Sequence, residues 1–568
     1  MGMGSSVLVN IGEQRFDRLM EQDKFYIDKT GFIREWWETG ATVTLITRPR
    51  RFGKTLNMSM LECFFSVNYE GRGDLFEGLS IWTEEKYRKL QGTFPVIFMS
   101  FAGIKADSAS GMKTAVKQMI TNVYSRYRDI MGSDLFDEND RKYFYSVNDE
   151  MKDETGAISI NRLCMYLQKY YNQDVIVILD EYDTPMQEAW ICGYWDEAVS
   201  FFGSFFDNTF KTNPRLCKGI ITGITRISKE SIFSDLNNLD IITTTSDEYA
   251  TAFGFTEEEV FQALDDAGLG EEKQEVKQWY DGFTFGAYTD IYNPWSIASF
   301  IAKKGNYEAY WANTSGNGLV SSLMRLGNPA IKQKMEDLLQ GKSFVTQLDE
   351  QIVFSQLDGD EHAVWSLLLA AGYLKILKLD RVGIRKKKVY TLTLTNMETA
   401  GMFEDMVKGW FRGSAGTACN EFLKAMLDDN VRMMNAFMNK VALHTFSFFD
   451  SGNKPSEETE PERFYHGFVL GMVVNLADTY KIRSNRESGY GRYDVQLEPL
   501  DRSGKAFIFE FKVLNPYEDE ETLADTLANA HMQIENMQYE AELISEGFAP
   551  NQIRKYGFAF QGKTCLIG

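Results

Sequence analysis

Residues 42–66 have the sequence TVTLITRPRRFGKTLNMSMLECFFS. An apolar run leads into a short basic turn and then into a segment of helical character, which is the order of elements that a phosphate-binding loop requires. At the start of such a helix, backbone N–H groups form a site for anions. Gly53 would allow close backbone approach to a phosphate, Lys54 would reach the β- and γ-phosphates, and Thr55 would offer its hydroxyl to Mg²⁺.

The basic turn departs from the usual phosphate-loop pattern, GxxxxGK[ST], at its first position. This chain has Arg48 where that pattern has glycine. Arg50 and Arg51 add positive charge beside the expected phosphates, but they also make the loop less flexible than glycine would. From this stretch alone, a phosphate loop and a plain basic turn are both compatible with the sequence.

Three further apolar runs predict more strands of the same sheet. They lie at residues 95–101, 174–180 and 218–224 and join the run at 42–47. Each is short and apolar on both faces, which is typical of a parallel sheet covered by helices. Together with the helical segments between them, they predict an α/β doubly wound fold with a P-loop-type parallel sheet.

Acidic and polar residues follow two of these strands, at the edge of a parallel sheet where ligands bind. Asp180 is placed to hold Mg²⁺ and Glu181 to activate a water molecule, although a single acid after a strand is also a common helix N-cap. Thr225 could sense the γ-phosphate. Arg226 could stabilise the charge that develops there, or it could be an ordinary surface ion-pair partner.

The pattern changes after residue 245. Residues 256–259 fit a capping box at the start of a mostly helical region. Residues 364–396 predict a helix followed by a β-hairpin with a basic turn, which indicates a winged-helix-like unit or a plain structural subdomain. We therefore predict five parts: a P-loop domain at 1–245, a helical lid region at 246–345, a winged-helix-like and helical region at 346–450, a linker at 451–462 and a C-terminal α/β domain at 463–568.

The C-terminal domain contains a predicted hairpin, YGRYDVQLEPLDRSGKAFIFEFKV, at residues 490–513. Asp494 lies on the first strand, while Glu510 and Lys512 lie two residues apart on the second and so share a face. Two carboxylates would bind a hard cation such as Mg²⁺, and the lysine would position a water molecule or offset charge on a phosphate. Such residues can also form a cross-strand salt bridge. The otherwise apolar strand favours a site, because burying the charges without a role would be costly.

Three neighbouring features bear on this site. Glu487 could be a further metal ligand. Gln533 and Tyr539, nearly two turns apart on a predicted helix at 528–543, could face the site or form a polar pair on the helix surface. A basic patch able to meet DNA phosphates is predicted from Lys481, Arg483, Arg486 and Arg492.

Composition limits the classes of protein that fit. The 568-residue chain carries a net charge of −21, which argues against a general nucleic-acid coat protein but not against a nuclease with local basic contacts. Its six cysteines are scattered and its N-terminus lacks signal-peptide features, so we expect reduced thiols and a cytoplasmic protein. No apolar stretch is long enough to cross a membrane, so we expect no membrane partner.

Several motifs occur together and in order in the first part of the chain. They are FDRLMEQDKFYIDKT (16–30), RPRRFGKT (48–55), LDEYDTP (179–185), GITRISKESIFSDLNNL (223–239), WYDGFTFG (279–286) and YNPWSI (292–297). In this combination the chain resembles the bacterial AAA-ATPase-like family over most of residues 6–320. The resemblance implies a STAND/AAA-related NTPase that tolerates arginine at the first phosphate-loop position. The residues that match its nucleotide motifs are Lys54, Thr55, Asp180 and Glu181.

A second resemblance covers about residues 460–568. RSNRESGYGRYDV, FEFK, the segment with Gln533 and Tyr539, and the closing YGFAFQGKTCLIG look like a PD-(D/E)xK nuclease domain. The resemblance implies that a catalytic trio is formed by Asp494, Glu510 and Lys512. It places Glu487 and Gln533 in accessory positions.

The residues and the two resemblances together predict a protein that binds ATP, with or without hydrolysis, and that cleaves DNA with Mg²⁺ or Mn²⁺. Its expected partners are a nucleotide and a nucleic acid, with DNA favoured, and a homo-oligomer is left open. The alternative is a nucleotide-binding switch or scaffold whose nuclease fold serves as a nucleic-acid-binding module.

Overall fold

We describe the chain from a computed structural model. It covers residue 9 and residues 11–568, apart from 23, 227–236, 312–328, 340, 349–360, 411–413, 446–468, 470–472, 474–475, 477–478, 489–490, 516–519 and 563, and apart from some side chains within helices and strands. The chain divides into two compact units, one of Met1–Leu323 with Ser343–Ala400 and one of Met324–Lys342 with Gly401–Gly568. Within the described part of the chain, no helix has both the length and the apolar character that a membrane crossing needs.

The first unit is built on a sheet of five parallel strands. The strands are β1 (Val43–Thr47), β2 (Val96–Ser100), β3 (Val175–Asp180), β4 (Leu216–Gly223) and β5 (Leu239–Ile242). Their order is β2-β3-β4-β1-β5, so β4 lies between β1 and β3. The predicted parallel sheet is confirmed, with each predicted strand shifted by no more than about two residues at either end. The edge strand β5 is an addition that the sequence analysis did not predict.

Helices cover both faces of this sheet, because consecutive residues of each strand enter two separate cores. Leu45 and Val177 pack into one core, and Ile46 and Ile178 pack into the other. The helices of this unit are Phe16–Glu21, Gly31–Glu38, Lys54–Phe65, Glu85–Arg88, Ala109–Ser125, Glu138–Ser146, Asp153–Tyr171, Thr184–Cys192, Trp195–Phe206, Glu257–Asp266, Lys273–Tyr280, Pro294–Ala302 and Glu361–Ala370.

A small antiparallel sheet interrupts the region that the sequence analysis predicts to be mostly helical. Its strands are β6 (Phe255–Thr256), β7 (Phe283–Phe285) and β8 (Tyr288–Tyr292), in the order β6-β8-β7. Gly286 forms the turn between β7 and β8 with a φ of 58°. The predicted capping box is present, since Thr256 and Glu259 each accept a hydrogen bond from the other's backbone N–H at the start of the helix Glu257–Asp266. Residues 246–345 are therefore not wholly helical.

A second small sheet lies further along the first unit. Its strands are β9 (Phe344–Thr346), β10 (Leu374–Val382) and β11 (Lys387–Leu394), in the order β10-β11-β9. The helix Glu361–Ala370 precedes β10, so the predicted helix and basic hairpin are both present. Residues 381–388, which include the basic turn, are exposed. The winged-helix-like character of this part stays a prediction.

The second unit is built on a mixed five-stranded sheet. Its strands are β12 (Tyr480–Ser488), β13 (Gly491–Pro499), β14 (Ala506–Val513), β15 (Ile553–Gln561) and β16 (Thr564–Ile567). They lie in sequence order, with β14 and β15 parallel and the other neighbours antiparallel. Residues of β14 alternate between two cores: Phe507, Phe509 and Phe511 face one, and Ala506 and Ile508 face the other.

Helices pack on both faces of this sheet and confirm the α/β class of this end of the chain. Met434 and Met438 pack into the core that contains Phe509, and Ile534 packs into the opposite core. The helices of this unit are Pro329–Leu339, Ser414–Leu427, Val431–Thr445, Leu523–Asn536 and Ala541–Ser545, and Met397–Trp410 crosses the division at residue 401.

The second unit includes helices that precede the predicted linker. Asn435 and Asn439 exchange side-chain hydrogen bonds of 2.7–2.9 Å with the backbone of Ile567 and Cys565 in β16. These helices therefore belong with the C-terminal sheet. The predicted linker at 451–462 lies outside the described residues, and the five predicted domain boundaries stay predictions.

Candidate nucleotide and metal-ion sites

The loop between β1 and the helix Lys54–Phe65 folds back over its own lysine. Gly53 precedes the helix with a φ of 78°, in the left-handed region that favours glycine. Lys54 is buried, and its Nζ donates to the backbone carbonyls of Arg48 and Pro49 at 3.1 and 3.0 Å. The ammonium is therefore held inside the loop, within reach of an anion bound at the helix N-terminus.

Two acids at the end of β3 meet this loop. Asp180 is fully buried, and its carboxylate accepts hydrogen bonds from Thr55 Oγ1 at 2.7 Å and from the hydroxyl of Thr222. Burial raises the pKa of Asp180, and the neighbouring charge of Glu181 adds to this effect. Glu181 lies 4.0 Å from Lys54 Nζ and has a left-handed φ of 57°. The structure therefore brings the four residues that match the nucleotide motifs together at one edge of the sheet.

Thr225 and Arg226, which follow β4, do not face the cleft in front of the loop. Thr225 donates its hydroxyl and its backbone N–H to the same carboxylate oxygen of Asp183, each at 2.8 Å. Its carbonyl accepts a hydrogen bond of 2.7 Å from the hydroxyl of Tyr182. The described residues that line this cleft do not include Thr225 or Arg226. Thr225 therefore fastens the segment after β3 to the end of β4, and any effect on a γ-phosphate would pass through that segment.

Asp183 is a residue of this edge that the sequence analysis missed. It is fully buried and also accepts hydrogen bonds of 3.0 Å from the N–H of Ile224 and from Gln187 Nε2. Burial raises its pKa, and the charge of Glu181 adds to the increase. Its signal in the sequence is the third acid of LDEYD, two residues beyond the pair that drew attention.

The cleft in front of the loop has a volume of about 640 Å³. Small-molecule sites have volumes of roughly 300–1,000 Å³. The polar part of its wall includes Arg50, Arg51, Gly53, Lys54, Thr55 and Glu181. The apolar part includes Ile11, Phe25, Ile27, Phe255, Trp295 and Ala298. The wall therefore offers cationic and polar groups that suit phosphates, and apolar and aromatic groups that suit a flat, weakly polar ring.

Arg51 connects the two parts of this wall. Its guanidinium carbon lies 4.1 Å from the centroid of the Trp295 ring, close enough for a cation–π contact. Burial lowers the pKa of Arg51, and the charge of Glu181 opposes this effect. Arg50 also lines the cleft, and its backbone carbonyl accepts a hydrogen bond of 3.3 Å from Asn293 Nδ2.

Arg48, at the position where the usual pattern has glycine, points away from the cleft. Its guanidinium is fully buried and donates to the carbonyls of Thr47, Thr243 and Glu248 at 3.0, 2.7 and 3.2 Å. It also lies 4.4 Å from the ring centroid of Phe285. Burial lowers its pKa to about 9. The departure from the glycine pattern therefore does not crowd the phosphate side of the loop, and Arg48 ties the end of β1 to the segment after β5.

Replacing Arg48 with glycine would restore the usual pattern, yet we expect it to destabilise the first unit by about 3 kcal/mol or more. Three carbonyls would lose their donor, two of them in buried hydrogen bonds, and a cavity would form beside Phe285. Urea unfolding followed by circular dichroism measures the change. Arg50→Gly is the control, because the half-buried Arg50 lies in the same loop, and we expect it to cost about 1 kcal/mol. Wild-type stability in Arg48→Gly would show that the guanidinium is not a structural tie.

The side chain of Phe52 packs the phosphate loop against strand β7. It is buried, and its ring centroid lies 4.7 Å from that of Phe283 and 5.5 Å from that of Phe285 in β7. The rings meet edge to face, a favourable arrangement for aromatic pairs. The loop therefore rests on the β7–β8 hairpin, a support that the WYDGFTFG motif carries but that the sequence analysis did not assign.

In the second unit, Asp494 and Glu510 occupy neighbouring strands. Val495 pairs with Phe509, so the next step of the antiparallel register sets Asp494 opposite Glu510. The Asp494 carboxylate accepts a hydrogen bond of 2.8 Å from the N–H of Phe511. Glu510 is only 3% exposed, so its carboxylate sits in a low-dielectric setting where a cation or a donor is needed.

Gln533 and Tyr539 lie beside this pair of acids. Gln533 Nε2 donates to Glu510 Oε1 and lies 3.1 Å from the Tyr539 hydroxyl. The predicted helix at 528–543 is broken, since one helix ends at Asn536 and Gln538 adopts a left-handed φ of 52°. Tyr539 therefore reaches the site from the break and not from two helical turns away. Burial, helped by the charges of both acids, raises the pKa of its hydroxyl to about 12.

Lys512 follows Glu510 by two residues and is half-buried on the same face of β14. Burial tends to raise the pKa of Glu520, but the hydrogen bonds that its carboxylate accepts from the N–H of Asn515 at 3.0 Å and from Thr526 and Asn529 at 2.7 Å each lower it. The charge of Lys512 adds to this lowering. Glu520 is a buried acid near the site that the sequence analysis missed. Its signal is the acidic run EDEE after the strand.

The predicted basic patch is wrong in one member. Arg483 is buried and forms ion pairs with Glu498, Glu542 and Glu546 at 2.9, 2.6 and 3.1 Å. Because its guanidinium is buried and paired with these carboxylates, Arg483 cannot contact a DNA phosphate. Lys481 is exposed. The side chains of Glu487, Arg486 and Arg492 lie outside the described residues.

The donor set at β13 and β14 fits a hard divalent cation. Asp494 and Glu510 supply carboxylate oxygens, which Mg²⁺ and Mn²⁺ prefer. The donors at the first-unit cleft, the hydroxyl of Thr55 and the carboxylate of Asp180, are also oxygens and already contact one another at 2.7 Å. Both sites therefore have the chemistry that their motifs require.

Comparisons with known proteins match the two parts of the chain that contain these candidate sites. Residues 10–233 match the family model described as Predicted AAA-ATPase, and residues 460–568 match that of the PD-(D/E)XK nuclease superfamily. A protein described as "Uncharacterized protein in vnfD 5'region", from Azotobacter chroococcum mcd 1, is 24% identical over 513 residues, which covers 89% of each chain. The matched ranges contain the phosphate loop with its acids and the hairpin with Asp494, Glu510 and Lys512.

Proposed function

Because the chain joins an AAA-ATPase-like domain to a PD-(D/E)XK nuclease superfamily domain, we propose that it is a nucleotide-regulated, Mg²⁺-dependent DNA endonuclease. The observation that supports this most is the grouping of acids with a lysine at each of two sites: Lys54 with Asp180 and Glu181, and Lys512 with Asp494 and Glu510. One grouping serves nucleotide binding, and the other serves phosphodiester cleavage.

At the first site, ATP would lie with its phosphates on the N-terminus of the helix Lys54–Phe65. Lys54 would exchange its two carbonyl contacts for phosphate oxygens. Thr55 and Asp180 would hold Mg²⁺, which neutralises phosphate charge. Glu181, half-buried at the cleft wall, would accept a proton from the attacking water if hydrolysis occurs.

At the second site, Asp494 and Glu510 would hold Mg²⁺, or Mn²⁺ in its place, which supplies a nucleophilic water and stabilises charge on the phosphate. Gln533 fixes the orientation of Glu510 through its hydrogen bond. Lys512 would place its ammonium against the phosphate oxygens as negative charge builds up on them. Glu487 remains a candidate for a further ligand.

Cationic surface for DNA comes from outside this acidic centre. The turn of the β10–β11 hairpin and the start of β11 carry Arg385, Lys386, Lys387 and Lys388, all exposed. Such a run can contact phosphates without base specificity. The net charge of −21 nevertheless predicts that non-specific binding to DNA is weak at physiological salt.

The test is cleavage of supercoiled and single-stranded DNA with Mg²⁺ or Mn²⁺, with and without ATP. We expect cutting that needs the metal and whose rate changes severalfold with ATP. Lys54→Ala is expected to remove the response to ATP and leave the metal requirement intact. Unchanged ATP dependence in Lys54→Ala would contradict nucleotide control. Nucleotide and DNA binding without any cutting would instead support the switch or scaffold.

A further inference from the structure

Three carboxylates meet in the first unit, outside the nucleotide cleft. Glu257 begins the helix Glu257–Asp266, Asp281 follows the helix Lys273–Tyr280, and Asp290 lies in β8. Each offers an oxygen, and these oxygens all lie within 4.8 Å of one another. The three acids therefore come from separate elements that only the folded chain brings together.

Asp281 is the deepest of the three. It is 7% exposed, and its Oδ1 is buried and accepts no hydrogen bond from any residue that the structure describes. An acceptor in that position costs free energy unless a donor or a cation meets it. The site therefore contains a buried carboxylate oxygen, Asp281 Oδ1, that a bound cation would stabilise.

Lys277 is the cation that the described side chains place against this group. Its Nζ forms ion pairs with Glu257 and with Asp290, the latter at 3.2 Å. One ammonium does not balance three carboxylates. Its long side chain is 36% exposed, so the ammonium can move into solvent while its stem stays in place.

We propose that Glu257, Asp281 and Asp290 bind a divalent cation, and that the ammonium of Lys277 moves aside when the ion enters. Carboxylate oxygens are ligands for hard cations. The three oxygens lie within 4.8 Å of one another, close enough for one hard cation to bridge them after small movements.

The position of the site gives the cation a structural role. It would join the helix Glu257–Asp266 to Asp281 and to β8. Phe283, two residues beyond Asp281, contacts Phe52 of the phosphate loop with ring centroids 4.7 Å apart. A bound cation therefore stiffens the hairpin on which the loop rests, whether or not the chain hydrolyses ATP.

Terbium luminescence tests the site in the full chain. Tyr292 donates its hydroxyl to Glu257 at 3.3 Å, so excitation of tyrosine should sensitise Tb³⁺ bound there, and added Ca²⁺ should displace it. The measurement is made in an Asp494→Asn, Glu510→Gln background, which removes the carboxylates of the nuclease site. We expect Asp281→Asn to weaken binding of both ions by about tenfold or more, because ligand charge sets affinity.

Two further variants separate binding from misfolding. Lys277→Met removes the competing ammonium and should tighten Ca²⁺ binding by about threefold or more. Glu258→Gln changes the neighbouring exposed acid and should alter affinity less than about twofold. Equal binding in Asp281→Asn and its parent, or weaker binding in Lys277→Met, would overturn the proposal.

Discussion

Lys512→Ala should lower the rate of DNA cleavage by about 10²–10³-fold, because the ammonium faces the phosphate only as charge develops on it. The two carboxylates that would hold Mg²⁺ stay in place, so metal affinity should change far less than the rate. Initial rates of plasmid nicking at saturating Mg²⁺ measure the effect. Lys512 is only half-buried, and the melting temperature of the chain should therefore change little.

Lys440→Ala is the matched control for this experiment. Lys440 is exposed on the helix Val431–Thr445, which packs on the opposite face of the sheet from Glu510. The substitution removes the same charge from the same unit and should leave the rate unchanged. If Lys512→Ala cuts within about threefold of wild type, which is under 1 kcal/mol of barrier, the lysine has no part in the chemistry.

Glu181→Gln should separate ATP binding from ATP hydrolysis. Glutamine has nearly the same shape as glutamate but cannot take a proton from water, so we expect hydrolysis to fall by about 10²–10⁴-fold. Binding depends on the loop and on Lys54, and the dissociation constant for ATP should stay within about threefold of wild type. Phosphate release and titration with a fluorescent nucleotide measure the two quantities. Lys54→Ala should have the opposite effect and weaken ATP binding itself, so that hydrolysis falls because less ATP is bound.

Glu188→Gln supplies the control, since Glu188 is a second half-buried acid of the cleft wall. It should leave both quantities near wild type. Loss of ATP binding in Glu181→Gln would show that the left-handed Glu181 shapes the cleft and does not act on water. Absence of hydrolysis in the wild type, with binding intact, would favour the nucleotide switch.

Much of this architecture follows from patterns that are local in the chain. Strands β1 to β4 show short runs apolar on both faces, and such runs are explained by burial between two layers of helices. The order of strand, basic turn and GKT predicts the phosphate loop. The alternation of Phe507, Phe509 and Phe511 with Ile508 and Glu510 assigns β14 two faces, because side chains of a strand alternate. These features can be predicted from the sequence without knowing which distant residues come into contact.

Other features depend on residues far apart in the sequence, so local patterns could not reveal them. Arg48 and Arg483 are both basic residues beside predicted anion sites, yet each is buried. Arg48 donates hydrogen bonds to carbonyls about 200 residues away in the sequence, and Arg483 donates to carboxylates about 60 residues away. The acids Glu257, Asp281 and Asp290 meet for the same reason. In the sequence, a charged residue that binds a ligand looks the same as one that pairs with another residue of the chain. Only the packing of distant segments determines which of the two the charge contacts.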